Sequence, residues 1–135
     1  MSPKTDLREG GCMCGAVRYE INLDGSETNN CHCKDCQKNS GGAFMPFTSV
    51  DRGQFRWISA PKGEGRASEI AVRRFCAECG TPMTWEGRDF QDRISISTGT
   101  LDDTSGIEIS VEIYTRSRWA SIPPVSGARQ YEAED

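Results

Sequence analysis

Cys31-His32-Cys33-Lys34-Asp35-Cys36 brings three thiols into one short segment. It joins a Cys-x-Cys, whose side chains share a face when the chain is extended, to a Cys-x-x-Cys. One segment thus offers three thiolates to a single metal ion. A further pair stands on either side of it. Cys12-Met13-Cys14 repeats the one-face spacing, and Cys76-Ala77-Glu78-Cys79 is followed by Gly80. A residue just past the second cysteine of such a knuckle often needs positive φ, which glycine adopts without strain. Structural zinc takes four ligands, with sulfur at about 2.3 Å, whereas catalytic zinc keeps a position open. The seven cysteines divide naturally into four plus three. On that division Cys31, Cys33 and Cys36 form the open site. Cys12, Cys14, Cys76 and Cys79 close a structural one and staple the N-terminal strand to the middle of the chain. Spacing by itself does not prove the partition. Buried cysteines can act as small hydrophobes, although three tight clusters argue against it. A redox dithiol at Cys76/Cys79 lacks the βαβ pattern of a thioredoxin-like protein, and an iron–sulfur site also uses four cysteines.

The odd cysteine count speaks against a disulfide framework. With 135 residues the chain suits a single domain, residues 1–135, able to bury a core without cross-links. The expected core runs from about Gly10 to about Ile122, with flexible ends. A net charge of −4 lacks the basic footprint of a nucleic-acid binder. No apolar run reaches membrane-spanning length, and Met1 to Asp6 holds no apolar signal core. The expected location is therefore cytoplasmic, where thiols stay reduced.

Local patterns point to a mainly β, turn-rich protein. Val17 to Leu23 alternates apolar and polar residues, as in a strand with one buried face, and Asp24-Gly25-Ser26 ends it. Ala43 to Val50 and Gln54 to Ser59 read as strands, and Pro46 marks the first as an edge or a bulge. A polar loop covers Pro61 to Ser68, and Glu69 to Phe75 leads as a strand into Cys76. Arg93 to Thr98 and Ile107 to Ile113 alternate cleanly, with a hairpin-like loop expected between them. One short helix is expected from about Cys33, stopped at Gly41-Gly42. Met1 to Gly10 reads as a ragged start, and the tail after Pro123-Pro124 as poorly ordered.

Gly10-Gly11-Cys12-Met13-Cys14-Gly15-Ala16-Val17-Arg18-Tyr19, the segment Cys31 to Lys38, and Phe75-Cys76-Ala77-Glu78-Cys79-Gly80-Thr81-Pro82 occur in that order. Together they resemble the glutathione-dependent formaldehyde-activating enzyme family, whose domain centromere protein V shares. The resemblance implies a β-tent fold of two or three antiparallel sheets. It also implies a structural zinc on Cys12, Cys14, Cys76 and Cys79, and a catalytic zinc on Cys31, Cys33 and Cys36.

In the family reaction glutathione adds to formaldehyde and gives S-hydroxymethylglutathione. That chemistry needs a thiolate at neutral pH, whereas a free thiol has a pKa near 8.5. A coordinating metal deprotonates an incoming thiol outright. The expected activity is therefore a zinc-dependent carbon–sulfur lyase-type reaction on a small thiol and an aldehyde. Another thiol-transfer reaction, or a zinc-stapled binding module without catalysis, are the alternatives. The two carboxylates of glutathione call for cations, and the candidates are Lys34, Lys38, Arg116 and Arg118, although such residues are more often solvated surface charges. His32 lies between two proposed ligands, so its ring should turn away from the metal as a supporting or surface residue. Trp57, Trp85 and Trp119 are expected in core or pocket walls, and Gln37 with Gly41-Gly42 at the pocket floor. No nucleic-acid or membrane partner is expected, and a homo-oligomer is compatible with the sequence.

Overall fold

The alternation in Arg18–Asn22 sets one face of a sheet: Tyr19 and Ile21 are fully buried, while Arg18, Glu20 and Asn22 keep some exposure. A computed structural model describes residues 5–134. The strands are β1 (Leu7–Gly11), β2 (Arg18–Asn22), β3 (Glu27–Cys31), β4 (Met45–Asp51), β5 (Phe55–Ser59), β6 (Gly63–Gly65), β7 (Ala71–Phe75), β8 (Pro82–Gly87), β9 (Arg93–Ser97), β10 (Ile109–Ile113) and β11 (Arg129–Gln130). The helix α1 (Lys34–Ser40) follows β3 almost directly. Gly41, at φ 77°, ends it in the left-handed conformation that favours glycine.

The strands build two sheets. The smaller has the order β1-β2-β5 and the larger the order β11-β10-β3-β4-β9-β8-β7-β6. Tyr19 and Ile21 pack with Val50, Met83, Ile94 and Ile96 of the larger sheet, and Phe55 and Trp57 close the cluster. Tyr19 also bonds Thr100 through its hydroxyl at 2.7 Å, which ties β2 to the turn after β9. Cys31 and Cys36 belong to a second cluster, with Met45 and Phe47 of β4 and the flanking Trp85 and Tyr114.

The mainly β character expected from sequence is present, and several local expectations change. Met1–Lys4 lie outside the described residues, but Leu7–Gly11 is not ragged: it pairs antiparallel with β2 along its full length. Pro46 lies in an interior strand, as the second residue of β4 opposite Asn30, one residue before pairing to β9 begins at Phe47. Part of the Pro61–Ser68 loop forms β6 against β7.

The expected hairpin between β9 and β10 does not form. β9 pairs with β4 and β8, and β10 crosses over to lie parallel to β3. Arg8 holds the crossover against the small sheet by donating to the carbonyls of Asp103 and Ser105 at 2.9 and 2.8 Å. Alternation shows that a strand has a buried face and leaves its partner unspecified. The larger sheet is consequently mixed rather than purely antiparallel. The tail is also ordered: β11 runs parallel to β10, and the Tyr131 amide donates to the Glu112 carbonyl at 2.9 Å. Among the described residues no helix is long and apolar enough to cross a membrane.

Candidate metal centres

Cys12, Cys14, Cys76 and Cys79 converge, with their sulfurs all within 4.8 Å of one another. Two tight turns deliver them. The Gly15 amide donates to the Cys12 carbonyl at 3.2 Å and the Val17 amide to Cys12 Sγ at 3.1 Å. Opposite, the Cys79 amide donates to Cys76 Sγ at 3.5 Å, and the Gly80 amide to the Cys76 carbonyl at 2.8 Å, with Gly80 at φ 80°. The expected glycine at positive φ is thus in place. Cys12 and Cys14, by contrast, meet through a turn and not through an extended chain. The Thr81 hydroxyl binds Cys79 Sγ at 3.1 Å and, with neighbouring amides, pulls that thiol down to about 5.

The second group is Cys31, Cys33 and Cys36, again with sulfurs within 4.8 Å. Cys31 ends β3. Cys33 caps α1, and its sulfur accepts from the Cys36 amide at 3.4 Å. Cys31 and Cys36 are buried, whereas Cys33 is half-buried and gives the triplet its accessible side. Charge is shared unequally. Hydrogen bonds from the Cys31 and Cys36 thiols and the Cys36 amide, together with the positive charge of nearby Arg73, hold Cys33 at about 2, against the opposing effect of burial. Cys31 is pushed up by the same sulfur contacts and by burial.

Several side chains brace this triplet. His32 is fully buried, and its Nε2 lies 2.9 Å from Glu112 Oε1, so the ring turns away from the sulfurs. Gln37 donates to the carbonyls of His32 and Ser117 at 2.8 and 3.0 Å and accepts from Trp119 Nε1 at 3.0 Å. Arg73 on β7 reaches Cys36 Sγ at 3.5 Å and Asn39 Oδ1 at 3.4 Å. Tyr114 packs against the triplet cluster with φ 56°, the sole positive φ outside glycine among the described residues. That backbone conformation is sparsely populated for a bulky residue and concentrates at functional sites.

The four candidate cations fall into two environments. Lys34, Lys38 and Arg116 are exposed, the last lying over the Tyr114 ring at 5.7 Å. Arg118 is turned inward onto Glu112 and Gln130. Trp57 is partly buried against the main core, Trp85 packs against the triplet cluster and Trp119 is exposed beside α1. Arg73, Glu112 and Tyr114 gave no signal in the sequence. Alternation through β10 assigns Glu112 to the solvent side, yet it is buried beside Val111.

Both groups fit a thiophilic metal on the chemistry and spacing of their donors. Sulfurs of a tetrahedral shell with bonds of about 2.3 Å lie about 3.8 Å apart. Here Cys12–Cys14 is 3.6 Å, Cys14–Cys76 3.8 Å and Cys31–Cys33 3.4 Å. All seven thiols are free. The four-sulfur group can close a coordination shell, and the three-sulfur group leaves one position for another ligand.

The chain is similar to known proteins. An uncharacterized lyase of Schizosaccharomyces pombe is 29% identical over 77 residues, which cover 56% of this chain and 54% of that protein. The match thus spans about half the length of that curated relative. A crystal structure of a Rhodobacter sphaeroides protein shares the fold, with a TM-score of 0.61 at 17% identity over 91% of this chain and 98% of that one. The profile of the glutathione-dependent formaldehyde-activating enzymes matches residues 7–117, which hold both cysteine groups, so the chain belongs to that family.

Proposed function

We propose that the protein is a carbon–sulfur lyase-type enzyme that joins a small thiol to an aldehyde, in the manner of glutathione-dependent formaldehyde activation. On this reading Cys31, Cys33 and Cys36 hold a catalytic zinc, and Cys12, Cys14, Cys76 and Cys79 a structural one. The supporting observation is the open three-sulfur group, with Cys33 accessible and its two partners buried. When bound there, zinc supplies a vacant position for an incoming sulfur and favours its thiolate form.

The chain's own residues do the positioning. Lys34 and Lys38 are exposed on α1, and Arg116 lies over the Tyr114 ring; these are the proposed partners of the carboxylates of a glutathione-like thiol. Arg118 contributes from behind, through Glu112. In the addition, a carbon–sulfur bond forms and the carbonyl π pair moves to oxygen. The proton released by the thiol ends on that oxygen, so the adduct is an S-hydroxymethyl thioether.

Adduct formation is fast without an enzyme, so the informative measurement is an exchange rate. Formaldehyde and glutathione resonances should broaden on adding the zinc-loaded protein, and Cys33→Ser should remove that broadening while leaving a folded chain. Full activity in Cys33→Ser would refute the three-cysteine site. Broadening with another thiol but not with glutathione would keep the reaction class and change the substrate. No acceleration with any thiol, in a protein retaining metal, would favour a zinc-stapled binding module.

A further inference from the structure

Arg73 and Arg74 are sequence neighbours with opposite fates. Strand alternation sends them to opposite faces of β7. Arg74 pairs with Glu64 and Glu86, both at 2.6 Å. Arg73 pairs with no carboxylate among the described residues. Its guanidinium is half-buried and points at Cys36 Sγ and Asn39 Oδ1, with Trp85 directly opposite on β8. A guanidinium taken partly out of water normally finds an anion. Here the group in reach is a thiol of the open triplet.

The charge balance of that triplet gives the contact a purpose. Three thiolates around a divalent cation leave one net negative charge, and a fourth thiolate from substrate leaves two. The incoming thiolate is therefore repelled by the site that must receive it. A fixed guanidinium on one of the protein sulfurs offsets this repulsion. It donates without competing for the metal, since arginine stays protonated and is a hydrogen-bond donor only.

We propose that Arg73 is a positioning residue of the three-cysteine centre: through Cys36 it supplies the counter-charge that lets the centre take up a fourth, substrate-derived thiolate. This rests on the thiol-handling reading given above. It differs from the role assigned to Lys34, Lys38 and Arg116, because it acts on the sulfur charge and not on the carboxylates of the substrate. The effect is therefore blind to the rest of the thiol molecule.

Cobalt(II) makes the idea measurable without turnover. The full chain is loaded first with zinc, for the four-sulfur site, and then with cobalt, and the bands that Cys33→Ser removes report the triplet. Arg73→Gln should move the sulfur-to-cobalt charge-transfer band to longer wavelength, because an un-bonded thiolate is the stronger donor. The variant should also bind 2-mercaptoethanol and glutathione about tenfold more weakly, by the same factor for each. Arg73→Lys, which keeps the charge, should recover much of that affinity. An unmoved band would overturn the contact with Cys36. A loss confined to glutathione would make Arg73 a carboxylate clamp and overturn the counter-charge role, as would unchanged affinity for both thiols. If the wild type bound no thiol at all, the thiol-handling reading would fail, and with it the uptake role of Arg73. A shifted band would then retain only its hold on Cys36.

Discussion

Glu112 shows how much one carboxylate can hold in place. Burial would raise its pKa, but His32, Gln130, the Val125 amide and Asn30 all favour the anion and bring it down to about 2 from 4.5. An acid depressed on folding adds stability above its ordinary pKa and loses it as pH falls through the folded value. The relevant window therefore runs from about 4.5 down to about 2. Glu112→Gln should lower stability near neutrality by up to ~3 kcal/mol, and it should flatten the loss of stability across that acid range. Chemical denaturation of both proteins, from about pH 6 to about pH 2, checks this; parallel curves would remove Glu112 from the role. At this scale the sequence is uneven. Cysteine clusters are legible because metal chelation demands fixed local spacing. Arg73 and Glu112 are not, since their partners lie 37 and 80 residues away and no local pattern encodes that distance.

At the scale of elements, the alternation of β2 and β9, the existence of β10 and the glycine stop of α1 could be read directly. Pairing could not, and the parallel crossover of β10 is the main consequence. β10 reaches the triplet because the His32 amide donates to the Ile113 carbonyl at 3.0 Å. β11 then locks β10: the Thr115 amide donates to the Tyr131 carbonyl at 3.0 Å, and Gln130 donates to Glu112 at 2.8 Å. A chain ending after Val125 loses these bonds. It should be destabilised by ~1–3 kcal/mol, and Cys31 should alkylate faster than in the full chain. Mass spectrometry after timed alkylation measures the second effect; equal rates would show that β11 is dispensable to the triplet.

Across the whole molecule the two cysteine groups do different mechanical jobs. Cys12 and Cys14 follow β1 of the small sheet, while Cys76 and Cys79 sit between β7 and β8 of the large one. A metal held by the four-sulfur group would therefore clamp two sheets whose contributing segments are 62 residues apart. The triplet runs only from the last residue of β3 into the first turn of α1. Cys76→Ser should accordingly lower the unfolding midpoint far more than Cys33→Ser, and chelation should reproduce the first effect. Thermal melts of both variants, with and without chelator, provide the comparison; equal losses would contradict the division of labour.

The pairing of His32 with Glu112 also sets an order of events at birth. A ribosome adds about 5–20 residues per second, so the 80 residues between them take roughly 4–16 s. Throughout that interval β3 and β4 can pair, but the other edge of β3 waits for β10. The newborn chain meanwhile displays three adjacent thiols beside an open strand edge, the arrangement most exposed to oxidation and to pairing with a second nascent chain.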